Sequence, residues 1–229
     1  MSRLLVHVEG HTEEQFVNEL LAPHLYGFGY HLVSARMFGN ARQRHRRGGV
    51  KPWSSVKRDV VRHLREDNGS ISTIMVDYYG MPATGDGAWP GRDASCGLAH
   101  EHKATSIEAL LLQEVAHEMG GDGRRFVPFV LMHEFEALLF SDCQAFARGV
   151  GRLDLAQAIQ AVRDQYDSPE RINDSPQTAP SKRAQSIISN YQKPLFGVLA
   201  ALEVGLAQMR AECAQFGTWL DRLEQANLA

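Results

Sequence analysis

Residues 3–25 read RLLVHVEGHTEEQFVNELLAPHL, and this stretch decides the fold. Residues 3–9 form a short apolar run of leucine and valine that stops at Gly10. Its length and bounding glycine predict a buried strand rather than a helix. Thr12, followed by Glu13, Glu14 and Gln15, supplies a cap residue and first-turn acids, and Phe16, Leu20, Leu21 and Leu25 give the helix an apolar face. Strand, glycine turn and helix together open a parallel α/β unit.

The same alternation continues outward. Residues 30–37 (YHLVSARM), 72–77 (STIMVD) and 126–133 (FVPFVLMH) predict further strands, and residues 53–66 and 105–119 have helical spacing. Pro128 suits an edge strand, where a missing donor is tolerated. The glycine-rich segment 78–103 has no clean periodicity, and so long a connection inside a domain is commonly functional. After Asp142 helical stretches dominate, at 143–148, 153–165, 182–191 and 194–223. The expectation is an α/β three-layer sandwich: a central, mostly parallel four-stranded sheet flanked by helices. Residues 1–142 would form the core, and residues 143–229 a helical C-terminal extension packed on it.

Composition narrows the function. The chain has 229 residues, 44% hydrophobic and 22% charged, as in an ordinary soluble domain. No apolar run reaches the roughly 20 residues of a membrane span, and the N-terminus runs straight into a strand, unlike a signal peptide. The three cysteines, Cys96, Cys143 and Cys213, lie far apart, which argues against a disulfide framework or zinc knuckle and for a reducing compartment, the cytoplasm. A net charge of −3 does not suit a nucleic-acid coat. Yet Arg42, Arg44, Arg46, Arg47 and Lys51 crowd one stretch that reads either as a solvated loop or as a phosphate contact.

Ligands of an open α/β sheet bind beyond the carboxyl ends of its strands. The first strand ends at Glu9, the third at Asp77, and the fourth at His133-Glu134 with Glu136 close behind. Carboxylates converging at one edge repel one another unless a cation sits among them. Such oxygen ligands suit Mg²⁺ or Mn²⁺, ions commonly shared with substrate phosphates. Each acid also has an ordinary reading: Glu9 as a strand-end acid at a helix N-terminus, Asp77 as a turn initiator, Glu13 as a helix-dipole partner. Positions 134 and 136 cannot share a helix face, so one of that pair is expected to be solvated or structural. His133 reads as a strand histidine. Lys182 and Arg183 start a helix after Pro180, and Lys193 follows Tyr191; any of them placed beside a metal would neutralise phosphate charge. Leu195, Leu199, Leu202 and Leu206 make a stripe that reads first as internal core and second as a partner surface.

Glu9-Gly10 within VEGHTEE resembles the strand-end Glu-Gly motif of Toprim domains, the metal-binding modules of topoisomerases, primases and overcoming-lysogenisation-defect (OLD) nucleases. The fuller set VEGHTEEQF, VDYYGMP, HEFEALLFSD and PSKR is similar to the Toprim-like domain of unknown function 4276, over residues 5 to about 183. The resemblance implies a divalent-metal site made by Glu9, Asp77, Glu134 and Glu136, with Glu13 in addition. It also implies an ABC-type ATPase partner in bacterial genome defence. A typical Toprim site has Asp-x-Asp on its third strand, whereas Tyr78 and Tyr79 follow Asp77 here. The leading expectation is a metal-dependent nuclease using Glu9, Asp77, Glu134, Glu136 and Lys182, with Arg42, Arg44, Arg46, Arg47, Lys51, Arg183 and Lys193 on nucleic acid. The alternative is a catalytically weak module that binds nucleic acid or docks on an ATPase.

Overall fold

The computed structural model describes residues 2–39, 49–172, 175 and 177–227. Strand β1 (Ser2–Val8) leads through Gly10 into helix α1 (His11–Phe16). That helix continues through a π-helical turn (Val17–Leu21) into α2 (Ala22–Tyr26). Then follow β2 (Tyr30–Met37), α3 (Trp53–Glu66), β3 (Ser70–Asp77), α4 (His100–Glu118) and β4 (Phe126–Leu131). The strands form one parallel sheet in the order β2-β1-β3-β4. A 3-10 segment (Phe135–Ser141) leads to α5 (Cys143–Gly149), α6 (Ala156–Arg163), α7 (Pro180–Ile187), α8 (Lys193–Glu212) and α9 (Ala214–Ala226).

Alternation along the strands sends side chains to both faces of the sheet, and both faces are covered. Leu4, Val6, Val8, Met75 and Phe129 pack against α1, α2, α5, α8 and α9. Ile74, Val76 and Val130 pack against α3 and α4. Trp219 of α9 stacks on Phe129 at 4.5 Å and donates its indole N–H to Thr73 Oγ1 at 3.0 Å, so the C-terminal helices share the core of the sheet. The segment after β3 is shorter than the sequence suggests, because α4 begins at His100. Buried Trp89 anchors it by donating to the Lys51 carbonyl at 2.9 Å.

Strand β4 is an edge, and its outer backbone groups are blocked by side chains. Glu108 of α4 accepts from the Val130 amide at 2.9 Å, while Arg222 of α9 reaches the Pro128 carbonyl at 3.5 Å and Glu108 at 3.4 Å. Burial pushes the Glu108 carboxyl up to about 7, against the opposing pull of the Val130 amide and Arg222. An acid raised on folding loses stability as pH climbs from its unfolded value of 4.5 through about 7. Glu108→Gln keeps an acceptor for Val130 but cannot ionise. The melting temperature of this variant relative to the parent should therefore rise across that window, and a constant difference would contradict the assignment.

Helix α8 departs from the sequence expectation. Leu195, Leu199 and Leu202 are exposed, at 53%, 40% and 47%, so three leucines of the stripe are surface, while Leu206 is half-buried and packs against the core. The buried face is made instead by Gly197, Val198, Ala200, Ala201 and Val204. Helix α5 approaches so closely that a Cβ on Gly149 would lie 2.5 Å from the Ala200 Cα. Only small side chains fit such a contact, and the three exposed leucines turn outward. Among the described residues α8 alone is long and apolar enough to cross a membrane, contrary to the reading of the linear sequence. Its inner face is nonetheless occupied by the core, and Gly205, with φ 75°, interrupts it.

Candidate metal centre

Parallel register aligns the strand ends. Val8 pairs with Met75, and Asp77 with Leu131, so Glu9, Asp77 and the residues after β4 emerge at one edge. Gly10 then turns the chain into α1, which brings Glu13 to the same place. A Cβ on Gly10 would stand 3.1 Å from Glu13 Oε2, so the glycine of the Glu-Gly pair makes room for that carboxylate. Gly80 does the same for Glu9: a Cβ there would lie 3.1 Å from Glu9 Oε2 and 2.4 Å from Val50.

The acids are tied together through backbone amides. Glu9 Oε1 accepts from the Asp77 N–H at 2.6 Å, and Asp77 Oδ1 accepts from the Phe135 N–H at 3.0 Å. Glu134 Oε2 accepts from the Ser181 N–H at 2.9 Å, at the start of α7. Glu136, only 2% exposed, pairs with the Lys193 ammonium at 3.1 Å. Both members of the 134/136 pair therefore face inward, where spacing had suggested that only one would. The 3-10 path after Glu134 makes this possible, since it does not hold the residues to α-helical geometry.

Repulsion is evident in the electrostatics. Glu9 and Asp77 are half-buried residues whose carboxyl groups lie deep among protein atoms. Burial pushes Glu9 up to about 8, with the Asp77 amide opposing and Glu13 and Glu134 adding to the rise. Burial, then Glu9, Glu13 and Glu136, hold Asp77 well above the usual carboxylate range. Burial also raises Glu13, and it lifts Glu136 to about 7 despite Lys193. Burial works against the charge on Lys193, but Glu136, Glu134 and Asp77 outweigh it and hold the ammonium above its ordinary value.

Glu9, Glu13, Asp77, Glu134 and Glu136 are thus gathered around Lys193. Lys182 is not among them: it is exposed and reaches Gln185 of its own helix at 3.4 Å. Arg183 is committed locally, donating to the Thr178 carbonyl at 3.0 Å and to the Tyr166 hydroxyl. Arg42, Arg44, Arg46 and Arg47 lie outside the described residues. The chain that follows them does return to the site, where the Gly49 N–H donates to the Glu9 carbonyl at 2.9 Å. Lys51 comes just after, half-buried, with its carbonyl on Trp89. The sequence offered Lys182, Arg183 and Lys193 alike as cations for a place beside a metal and assigned Lys193 to nucleic acid; it is Lys193 that stands among the acids. The available signal was the Lys-Pro pair at a helix start, which says nothing about what the helix abuts.

The donor set fits a hard divalent cation in chemistry and charge: five carboxylates, several raised first by burial and then by neighbouring acids, with one ammonium among them. Among the described residues no three acidic, histidine or cysteine side chains are disposed to hold one ion together. Glu9, Asp77 and Glu134 each give one oxygen to an amide. A carboxylate has a second oxygen, so that engagement does not exhaust the donors.

The chain is similar over its whole length to the C-terminal region of the Xanthomonas campestris pv. campestris OLD protein: 17% identity, TM-score 0.48, 100% of this chain and 97% of the other. The C-terminal region of the Burkholderia pseudomallei OLD protein is similar at 16% identity and TM-score 0.44, covering 99% of each chain. No curated protein matches. Comparison with protein families matches residues 8–224, nearly the whole chain, to the Domain of unknown function (DUF4276). The chain belongs to that family.

Proposed function

We propose that this protein hydrolyses phosphodiester bonds of nucleic acid with Mg²⁺ or Mn²⁺. The observation that carries the reading is the gathering of Glu9, Glu13, Asp77, Glu134 and Glu136 at one sheet edge with Lys193 among them. Buried like charges are costly to keep together, and an arrangement that retains them points to a cation as its natural occupant. Glu9, Asp77 and the Glu134/Glu136 pair would hold the ion, with Glu13 behind Gly10. When bound, the ion supplies an activated water and neutralises the departing oxygen. Lys193 is placed to hold a phosphate oxygen, and the Asp77, Phe135 and Ser181 amides keep three carboxylates oriented. The proposal includes a cytoplasmic setting, as the sparse and widely spaced cysteines suggest, and an ABC-type ATPase partner in genome defence, as the Toprim-like resemblance implies.

A second reading is a nucleic-acid-binding or ATPase-docking module without strong catalysis. Tyr78 and Tyr79 in place of the second aspartate favour it, as do the amide-engaged carboxylates and the exposed leucines of α8. Incubating plasmid and single-stranded substrates with Mg²⁺ or Mn²⁺, with and without an added ATPase partner, separates the two. Metal-dependent cleavage supports the nuclease; none under any of these conditions supports the module.

A further inference from the structure

The residues that replace the second aspartate have a definite setting. The Tyr79 ring stacks on His133, with centroids 5.0 Å apart and planes 21° apart. His133 meets His100 at 5.5 Å and Tyr78 at 5.9 Å, both edge-on. Its buried Nδ1 has no hydrogen-bond partner among the described residues. The Arg92 guanidinium lies 3.8 Å from the centre of the Tyr78 ring and donates to the Tyr78 carbonyl at 3.0 Å and hydroxyl at 3.1 Å. The Lys103 ammonium lies 5.9 Å from the centre of that ring. Tyr78 is buried and belongs to the core, whereas Tyr79, Arg92, His100 and Lys103 are half-buried.

This group borders the acids along the chain, since Tyr78 and Tyr79 follow Asp77 and His133 precedes Glu134; it packs on the α3–α4 side of the sheet, and Gly80, the residue after Tyr79, approaches Glu9. A centre made of acids repels a phosphate backbone, so a nucleic acid reaching it needs cations alongside. Lys103 supplies one, and Arg92, whose Nε and Nη1 are held by Tyr78 and Cys96, brings a second positive charge through its remaining Nη2, at residues that the function described above leaves unused. An aromatic shelf beside a cationic track is how proteins hold unpaired nucleotides, since a base can stack on a ring only after leaving its duplex.

We propose that Tyr79, backed by His133, stacks one unpaired base while Arg92 and Lys103 contact the flanking phosphates, so that the substrate is single-stranded or locally unpaired nucleic acid. This rests on the reading that the site acts on nucleic acid. The test is anisotropy of a fluorescein-labelled single-stranded oligonucleotide and its duplex, bound to the full chain with Ca²⁺ present. The parent should prefer the single strand. Tyr79→Ala should weaken that binding by about 5- to 150-fold, the range for loss of one stacked base, and Tyr79→Phe should retain it. Lys103→Gln, which does not depend on the tyrosine position for folding, should lower the slope of log affinity against log salt by about 0.7. Single-strand affinity unchanged in both Tyr79→Ala and Lys103→Gln overturns the shelf, as does duplex binding as tight as single-strand binding. If metal-dependent cleavage is intact in those variants, only the shelf falls. If the parent binds no nucleic acid at all, the proposed function falls with it.

Discussion

If the proposed metal site is right, Asp77→Asn and Glu9→Gln should each lower metal-dependent cleavage by about 100-fold or more, because each would remove a charged ligand of an ion that would account for several kcal/mol of transition-state stabilisation. Both substitutions are nearly isosteric and keep the backbone contacts. An Asn oxygen still accepts from the Phe135 N–H, now 3.0 Å from Asp77, and a Gln oxygen from the Asp77 N–H, now 2.6 Å from Glu9. Each also deletes a charge from a group of carboxyls that burial and mutual repulsion have raised. Without metal, the variants should therefore melt no lower than the parent near neutral pH. Added Mn²⁺ should raise the parent's melting temperature and leave that of the variants nearly unmoved. Single-turnover cleavage and melts with and without Mn²⁺ provide the check. Cleavage that survives both substitutions would show that the strand-end acids are not the site.

Lys193→Met should be the other severe change, and Lys182→Met should be close to neutral. Lys193 stands among the acids with its ammonium 3.1 Å from Glu136 Oε2, whereas Lys182 is exposed and directed along its own helix. Removing Lys193 takes a positive charge from where phosphate would sit, a loss of about 100-fold in rate for a preorganised electrostatic contact. It also leaves Glu136, 2% exposed, without its partner, which should cost about 2 kcal/mol of stability. Glu136 already has its carboxyl lifted to about 7, and without Lys193 it can be relieved only by taking up a proton. The stability loss should accordingly be greater above that pH than below it. Equal activity of Lys193→Met and the parent would return Lys193 to the peripheral nucleic-acid role suggested by the sequence.

The strand–glycine–helix opening at residues 3–25 was enough to predict the architecture. A buried strand of that length, closed by glycine and followed by an amphipathic helix, has few other ways to hide its apolar side chains, although Gly10 and not Thr12 takes the cap position and no side chain caps the helix. Parallel topology then follows from the repeated alternation, and with it the rule that loops at the carboxyl ends form the ligand edge. That is why Glu9, Asp77, Glu134 and Glu136 could be named from the linear chain: each stands at the end of a run whose period is visible. Glu13 was legible as a neighbour of Glu9, since one glycine turn separates strand from helix. The Tyr78-Tyr79 departure from Asp-x-Asp was legible too, but not what the rings would touch.

What only the tertiary structure decided concerns partners far apart in sequence. Lys193 reaches Glu136 because α8 packs beside the sheet edge, and nothing in the local pattern distinguishes it from Lys182. Both Glu134 and Glu136 turn inward because a 3-10 path, not an α-helix, follows β4. Leu195, Leu199 and Leu202 of α8 face outward although hydrophobicity alone would bury them, and where Gly149 approaches Ala200 the inner face has room only for a small side chain. The sequence by itself determined period, the mostly parallel α/β class and the acids at the strand ends, while the strand order β2-β1-β3-β4 came from the structure. The structure decided which distant cation joins them and which helix face is buried, because those depend on fit between surfaces that meet only after folding.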